Sequence, residues 1–129
     1  MTAPQMNEVE VLVDTYCQGW SDPDPLVRER CIRETLAPEA TYVDPRTNTL
    51  PVEQLLAHIS KTVTSRPGAT VKRTSNVDIH HNLARFNWQV LLSDGTNLPE
   101  GIDFIELEDD HRRIRRIVGF FGPLTSCKR

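Results

Sequence analysis

The sequence predicts an α+β domain: three N-terminal helices packed on a curved antiparallel sheet that encloses a pocket. Apolar residues recur every three or four positions as far as Arg66-Pro67-Gly68 and every second position beyond it. The resulting order is helix, helix, strand, helix and then four strands on short links. Helices gathered ahead of the sheet in this way indicate α+β rather than a doubly wound fold. The 129 residues make one domain, expected over 1–129. A chain of that length hides roughly two thirds of its unfolded surface, enough for a core and one pocket.

Val9, Leu12, Val13, Tyr16 and Trp20 describe one face of a first helix from about Asn7 to Trp20. Ser21-Asp22-Pro23-Asp24-Pro25 ends it and starts a second, with Asp24 as N-cap and Pro25 where a missing N–H costs nothing. Leu26, Val27, Cys31 and Leu36 continue that helix up to Pro38. Thr41-Tyr42-Val43-Asp44 reads as a short strand closed by Pro45. Pro51 opens the third helix, which carries Val52, Leu55, Leu56, Ile59 and Val63 on one side and Glu53 in its first turn. Segments 69–80, 84–93, 97–108 and 112–121 then alternate as strands, broken at His81-Asn82, Asp94-Gly95 and Asp109-Asp110. A sheet curled over three helices leaves an open end, and a ligand pocket belongs there.

Composition excludes several classes. The net charge is −3, which gives no electrostatic footprint for nucleic acid. The basic run His111–Arg116 directly follows the acidic Glu106–Asp110 and reads as a solvated, mutually neutralising surface. Apolar runs fall far short of the roughly 20 residues of a membrane span. Met1–Gln5 has neither the charged nor the apolar part of a signal peptide, so the cytoplasm is expected. Cys17, Cys31 and Cys127 form no C-x-x-C pair, and the four histidines show no metal-ligand spacing, so no metal is expected. Cys17 and Cys31 read as helix packing residues.

Three polar residues stand where apolar ones are expected. Asp103 shares a strand side with Ile105 and Leu107, so it is either satisfied by a partner, raised in pKa by desolvation, or exposed beside Gly101. Asp44 precedes Pro45 and suits the extended end of a strand, or a turn in which it bonds its own backbone. Tyr16 is a core aromatic, or a hydroxyl carried into a cavity by the packed helix face. A phenol and two carboxyls on separate elements also fit enolisation. One carboxylate takes a proton beside a carbonyl, and two neutral donors hold the oxyanion. His80 and His81 point to opposite strand faces and read as a strand-end pair beside the Asn82 turn. Phe86, Trp88 and Val90 share one strand face, and Arg85, Asn87 and Gln89 the other.

Val13-Asp14-Thr15-Tyr16 with Trp20-Ser21-Asp22, Ala40–Pro45, Glu100–Phe104 and Arg116–Gly122 together resemble the ketosteroid isomerase and SnoaL-like polyketide cyclase branch of the nuclear transport factor two-like superfamily. The resemblance runs from the first helix to Gly122 and implies a cystatin-like cone. It implies Tyr16 as principal oxyanion donor, Asp44 as general base and protonated Asp103 as second donor, a carboxylic acid kept neutral by an apolar site. Trp20, Tyr42, Ile59, Trp88, Phe104, Phe120 and Phe121 would bind the ligand. The loop Arg46–Leu50 lacks the family's glycine, and His80-His81 and Arg85–Trp88 bring polar and bulky groups nearer the SnoaL-like members. The expected protein is an isomerase or cyclase without a cofactor, acting on a small apolar or partly hydroxylated carbonyl compound. Long alternating strands favour a homodimer through sheet packing. The alternative is a non-catalytic ligand-binding or dimerisation domain of the same fold.

Overall fold

The computed structural model of the protein describes residues 3–127. Met1 and Thr2, read above for a leader, and Lys128 and Arg129, counted in the expected domain, lie outside the described residues.

Helix α1 (Ala3–Gln18) starts and stops earlier than its apolar stripe suggests. The N–H groups of Gly19 and Trp20 fold back on the Tyr16 and Cys17 carbonyls at 3.0 Å each, so Trp20 rides the turn beyond the helix. Helix α2 (Pro25–Thr35) begins where expected, with the Asp24 carboxylate accepting from Leu26 N–H at 2.9 Å. A cap of this kind stabilises a helix by about 1 kcal/mol.

Strand β1 (Leu36–Asp44) follows with no linker. Leu36–Pro38 therefore belongs to a strand and not to the expected helix end, because β1 pairs in parallel with the last strand, β7 (Ile114–Phe121). The register slips between Leu36 and Thr41, and exposed Pro38 sits in that slip, where its missing N–H breaks no ladder. The sheet is thus mixed, a correction to the wholly antiparallel expectation. The chain reaches β7 only after α3 and five further strands, so no local turn fixes its direction.

Strand β2 (Thr47–Pro51) hairpins onto β1, with Tyr42 opposite Leu50. Its Thr-Asn-Thr start has no apolar alternation, which hid it from the periodicity. Helix α3 (Val52–Ser65) buries Val52, Leu55 and Ile59 as expected. The expected strand 69–80 divides into β3 (Thr70–Arg73) and β4 (Asp78–His80), both antiparallel to β5 (Leu83–Leu91). Between them the Ser75 hydroxyl accepts from Asn87 N–H at 2.8 Å, replacing a ladder bond. Strand β6 (Gly101–Leu107) starts later than expected because residues 97–100 cross as a loop.

The strand order is β2-β1-β7-β6-β5-β3, with β4 also on β5, in one curved, unclosed sheet. Helix α1 packs on α2 and β3, while α3 covers β1 and β2. Val9, Val13, Ile32, Leu55, Ile59, Phe86, Ile105 and Ile117 fill the space between, each contributing about 1.5–3 kcal/mol of apolar burial. Among the described residues, no helix is long and apolar enough to cross a membrane.

Alternation along β6 turns Asp103, Ile105 and Leu107 inward and Phe104 outward. Phe104 and Phe120 meet edge to face on the outer side of the sheet, 40% and 53% exposed, with ring centroids 6.1 Å apart. Both were expected to bind the ligand, and the pleat puts them on the wrong side for it. Ile59 is also corrected: at 1% exposure it belongs to the core and does not border the cavity.

Candidate active site

A cavity of about 410 Å³ opens between α1, α3 and the inner face of the sheet. Tyr16 enters it from the last turn of α1, Tyr42 and Asp44 from the end of β1, Trp88 from β5 and Asp103 from β6. Trp20 and Phe121 add apolar wall, with Trp20 and Tyr42 rings 5.4 Å apart. Tyr16, Asp44 and Asp103 thus border one space, as do Trp20, Tyr42, Trp88 and Phe121 among the expected ligand contacts. The face Phe86-Trp88-Val90 is the inner one. Arg85 points away and pairs with Asp78 at 2.8 Å.

Gly119 explains how two carboxyls share this wall. It sits on β7 directly opposite Asp103, while the parallel pairing of Val43 with Val118 brings Asp44 to its other side. A Cβ at position 119 would stand 2.9 Å from Asp103 Oδ1 and 3.5 Å from Asp44 Cβ. The missing side chain makes room for the acid.

The two acids have different surroundings. Asp44 Oδ1 accepts from Arg46 N–H at 2.8 Å, Thr47 N–H at 3.0 Å and the Thr47 hydroxyl at 3.2 Å, while Oδ2 accepts from the Tyr42 hydroxyl at 2.6 Å. Four donors suit an acceptor-only carboxylate. Of the two sequence readings, the turn aspartate is present in the bonds of Oδ1. Asp103 is 5% exposed and accepts one bond, from the Trp88 indole N–H at 2.8 Å. Burial pushes its pKa up to about 7; the Trp88 donor opposes the rise and nearby Asp44 adds to it. It is therefore a carboxyl that keeps its proton far above the ordinary carboxylate range, up to about pH 7, and in that form can donate a hydrogen bond.

The Tyr16 hydroxyl is buried and has no hydrogen-bond partner among the described residues. Burial, then the charge of Asp103, holds its proton well above the ordinary tyrosine range. An unpaired buried hydroxyl costs about 1–3 kcal/mol, and such an atom beside a cavity suits a ligand acceptor. Burial likewise raises the Cys17 thiol, which makes it a packing group and not a nucleophile.

Comparison of the sequence with family models and with curated proteins gives no match. Among solved structures, a candidate isomerase of the SnoaL-like family from Agrobacterium tumefaciens superposes with a TM-score of 0.82 at 26% identity, covering 92% of this chain and 100% of that one. The fold is that of the SnoaL-like and ketosteroid isomerase-like proteins. A candidate SnoaL-like polyketide cyclase from Jannaschia sp. CCS1 has a TM-score of 0.70 at 15% identity over 93% of this chain and 89% of its own. A candidate ketosteroid isomerase from Kribbella flavida has a TM-score of 0.67 at 16% identity over 97% and 85%. At such identities the SnoaL-like fold carries no chemistry by itself, and the side chains must carry it.

The cavity also holds residues that the sequence reading did not single out. His58, Thr62 and Arg66 form a stripe four residues apart on α3, and Arg46 comes from the β1–β2 turn. The row is visible in the sequence at i, i+4 and i+8, a spacing that puts the three on one helix face. His58 packs edge to face on Trp20, centroids 5.9 Å apart. His80 and His81 lie elsewhere, their Nδ1 atoms 3.1 Å apart at the β4–β5 turn. Among the described residues, no cluster of His, Cys, Asp and Glu could hold a metal ion.

Proposed function

We propose that this chain is a small-molecule enzyme of the isomerase or cyclase type, abstracting a proton beside a carbonyl and stabilising the enolate. The observation that carries this reading is that a buried Tyr16 hydroxyl without a hydrogen-bond partner among the described residues and a buried Asp103 carboxyl with a raised pKa border one cavity. In the reaction, Asp44 takes the proton from the substrate carbon through Oδ2, the oxygen not committed to the turn. Charge moves onto the carbonyl oxygen, where the Tyr16 and Asp103 hydroxyls donate to it. Return of the proton at another carbon completes an isomerisation. Attack of the enolate carbon on a second carbonyl of the same molecule completes a cyclisation.

A naphthol mimics the enolate and reports binding by its fluorescence. Titration should show tight binding of the oxyanion form to the wild type and at least a tenfold loss in Tyr16→Phe, one oxyanion donor being worth on the order of 10²–10³ in rate. No binding, or equal binding by both proteins, overturns the reading.

A second reading, a ligand-binding domain without turnover, is favoured by the three hydrogen bonds that tie Asp44 Oδ1 into the β1–β2 turn and by the Tyr42 hydroxyl bonded to Oδ2. Under it, naphthol binds as above but neither the wild type nor Asp44→Asn turns over enolisable ketones.

A further inference from the structure

The charges around the cavity are segregated. Asp44 and Asp103 lie side by side across Gly119, whereas Arg46 and Arg66 border the same cavity from the β1–β2 turn and the end of α3. Two guanidiniums thus border one cavity on a protein of net charge −3. Neither guanidinium has a carboxylate within 4.0 Å among the described residues, where the ion pairs engage Arg33, Arg73, Arg85 and Arg115. Unpaired arginines also occur on the outer surface. These two differ in bordering a cavity and in standing on fixed backbone.

Arg46 N–H is held by Asp44, and its guanidinium lies 5.6 Å over the Phe121 ring, which orients it without neutralising it. Arg66 caps α3, its N–H bonded to the Val63 carbonyl and its own carbonyl accepting from Ala69 N–H at 3.1 Å. A pair of guanidiniums without a carboxylate partner, bordering one cavity, suits a planar anion. Asp44 repels the same anion from the acid end, so the charges also set the ligand's direction.

We infer that the ligand of this cavity is a carboxylate-bearing carbonyl compound, its carboxylate held by Arg46 and Arg66 and its reacting carbonyl turned toward Tyr16 and Asp103. The carboxylate contact deepens the proposed enolate chemistry and rests on it for the placement of the carbonyl.

The test uses two probes that differ only in charge at the far ring, 6-hydroxy-2-naphthoate and 6-hydroxy-2-naphthamide, titrated into the full chain. The carboxylate should bind about ten- to a hundredfold more tightly than the amide, as charge-assisted pairs do. That preference should collapse in Arg46→Gln and Arg66→Gln and weaken with added salt. Tyr16→Phe should weaken both probes and leave the preference intact. Thermal melts of the arginine variants check that they remain folded. Equal binding of the two probes, or a preference that survives both arginine variants, overturns the carboxylate contact, and a Tyr16 effect that persists then leaves the enolate reading standing. An arginine-dependent preference with no Tyr16 effect supports the contact and overturns the enolate reading. Binding of neither probe overturns both.

Discussion

Trp88 reaches Asp103 diagonally across β5 and β6, its indole N–H donating at 2.8 Å to Oδ1. The residue opposite Trp88 is Gly101, and a Cβ there would stand 2.2 Å from the indole ring. The indole therefore lies flat over a glycine, and its N–H extends to the next inward position of β6, where diagonal neighbours are about 7–8 Å apart. A buried carboxyl thereby gains one donor.

Trp88→Phe should move the titration of Asp103 further up. The indole favours the charged form of the carboxyl, and a hydrogen bond to a charged group is worth about 1.5–3 kcal/mol, or about one to two pH units. The limb of naphthol affinity near pH 7 should shift to higher pH in this variant. A limb that stays in place or moves down contradicts the role given to the indole.

Asp103→Asn should be more stable than the wild type at pH 8 and indistinguishable from it below pH 4. A carboxyl whose pKa is about 7 in the folded state and about 3.9 unfolded binds more protons when folded, so its contribution declines as pH rises between those values. The gain should be on the order of a few kcal/mol and level off above pH 7. Parallel denaturation curves across this range would remove the assignment.

Tyr16→Phe should raise stability while lowering affinity for the enolate mimic. The hydroxyl is buried without a partner, and deleting such a group relieves about 1 kcal/mol or more of desolvation. Urea midpoints compared with naphthol titrations test both halves. A destabilised variant would mean that the hydroxyl has a partner in solution.

Gly119→Ala should lose naphthol binding and cost about 1–3 kcal/mol, because its Cβ would press on Asp103 Oδ1 at 2.9 Å. Gly95→Ala, where no atom lies within 4 Å of the added Cβ, should leave binding unchanged and affect stability only through its turn. Retained binding in Gly119→Ala contradicts the shared wall of the two acids.

By itself, the sequence determined the three helices and most of the strand segments. Each follows from a periodicity that a few neighbouring residues carry. Asp24 and Pro25 marked the start of α2 for the same reason, since an N-cap is satisfied two residues away. Asp103 stood out in its strand because it replaced an apolar residue in an otherwise regular alternation. Tertiary structure decided what local period cannot express. The parallel pairing of β1 with β7 joins residues some seventy positions apart in sequence, and from it follow the strand character of Leu36–Pro38 and the meeting of Asp44 with Asp103 across Gly119. The outward turn of Phe104 and Phe120 and the inward turn of Arg46, His58 and Arg66 depend on which face the helices cover. A side chain's direction is fixed by the register of its strand or the seating of its helix, and both are set by distant partners.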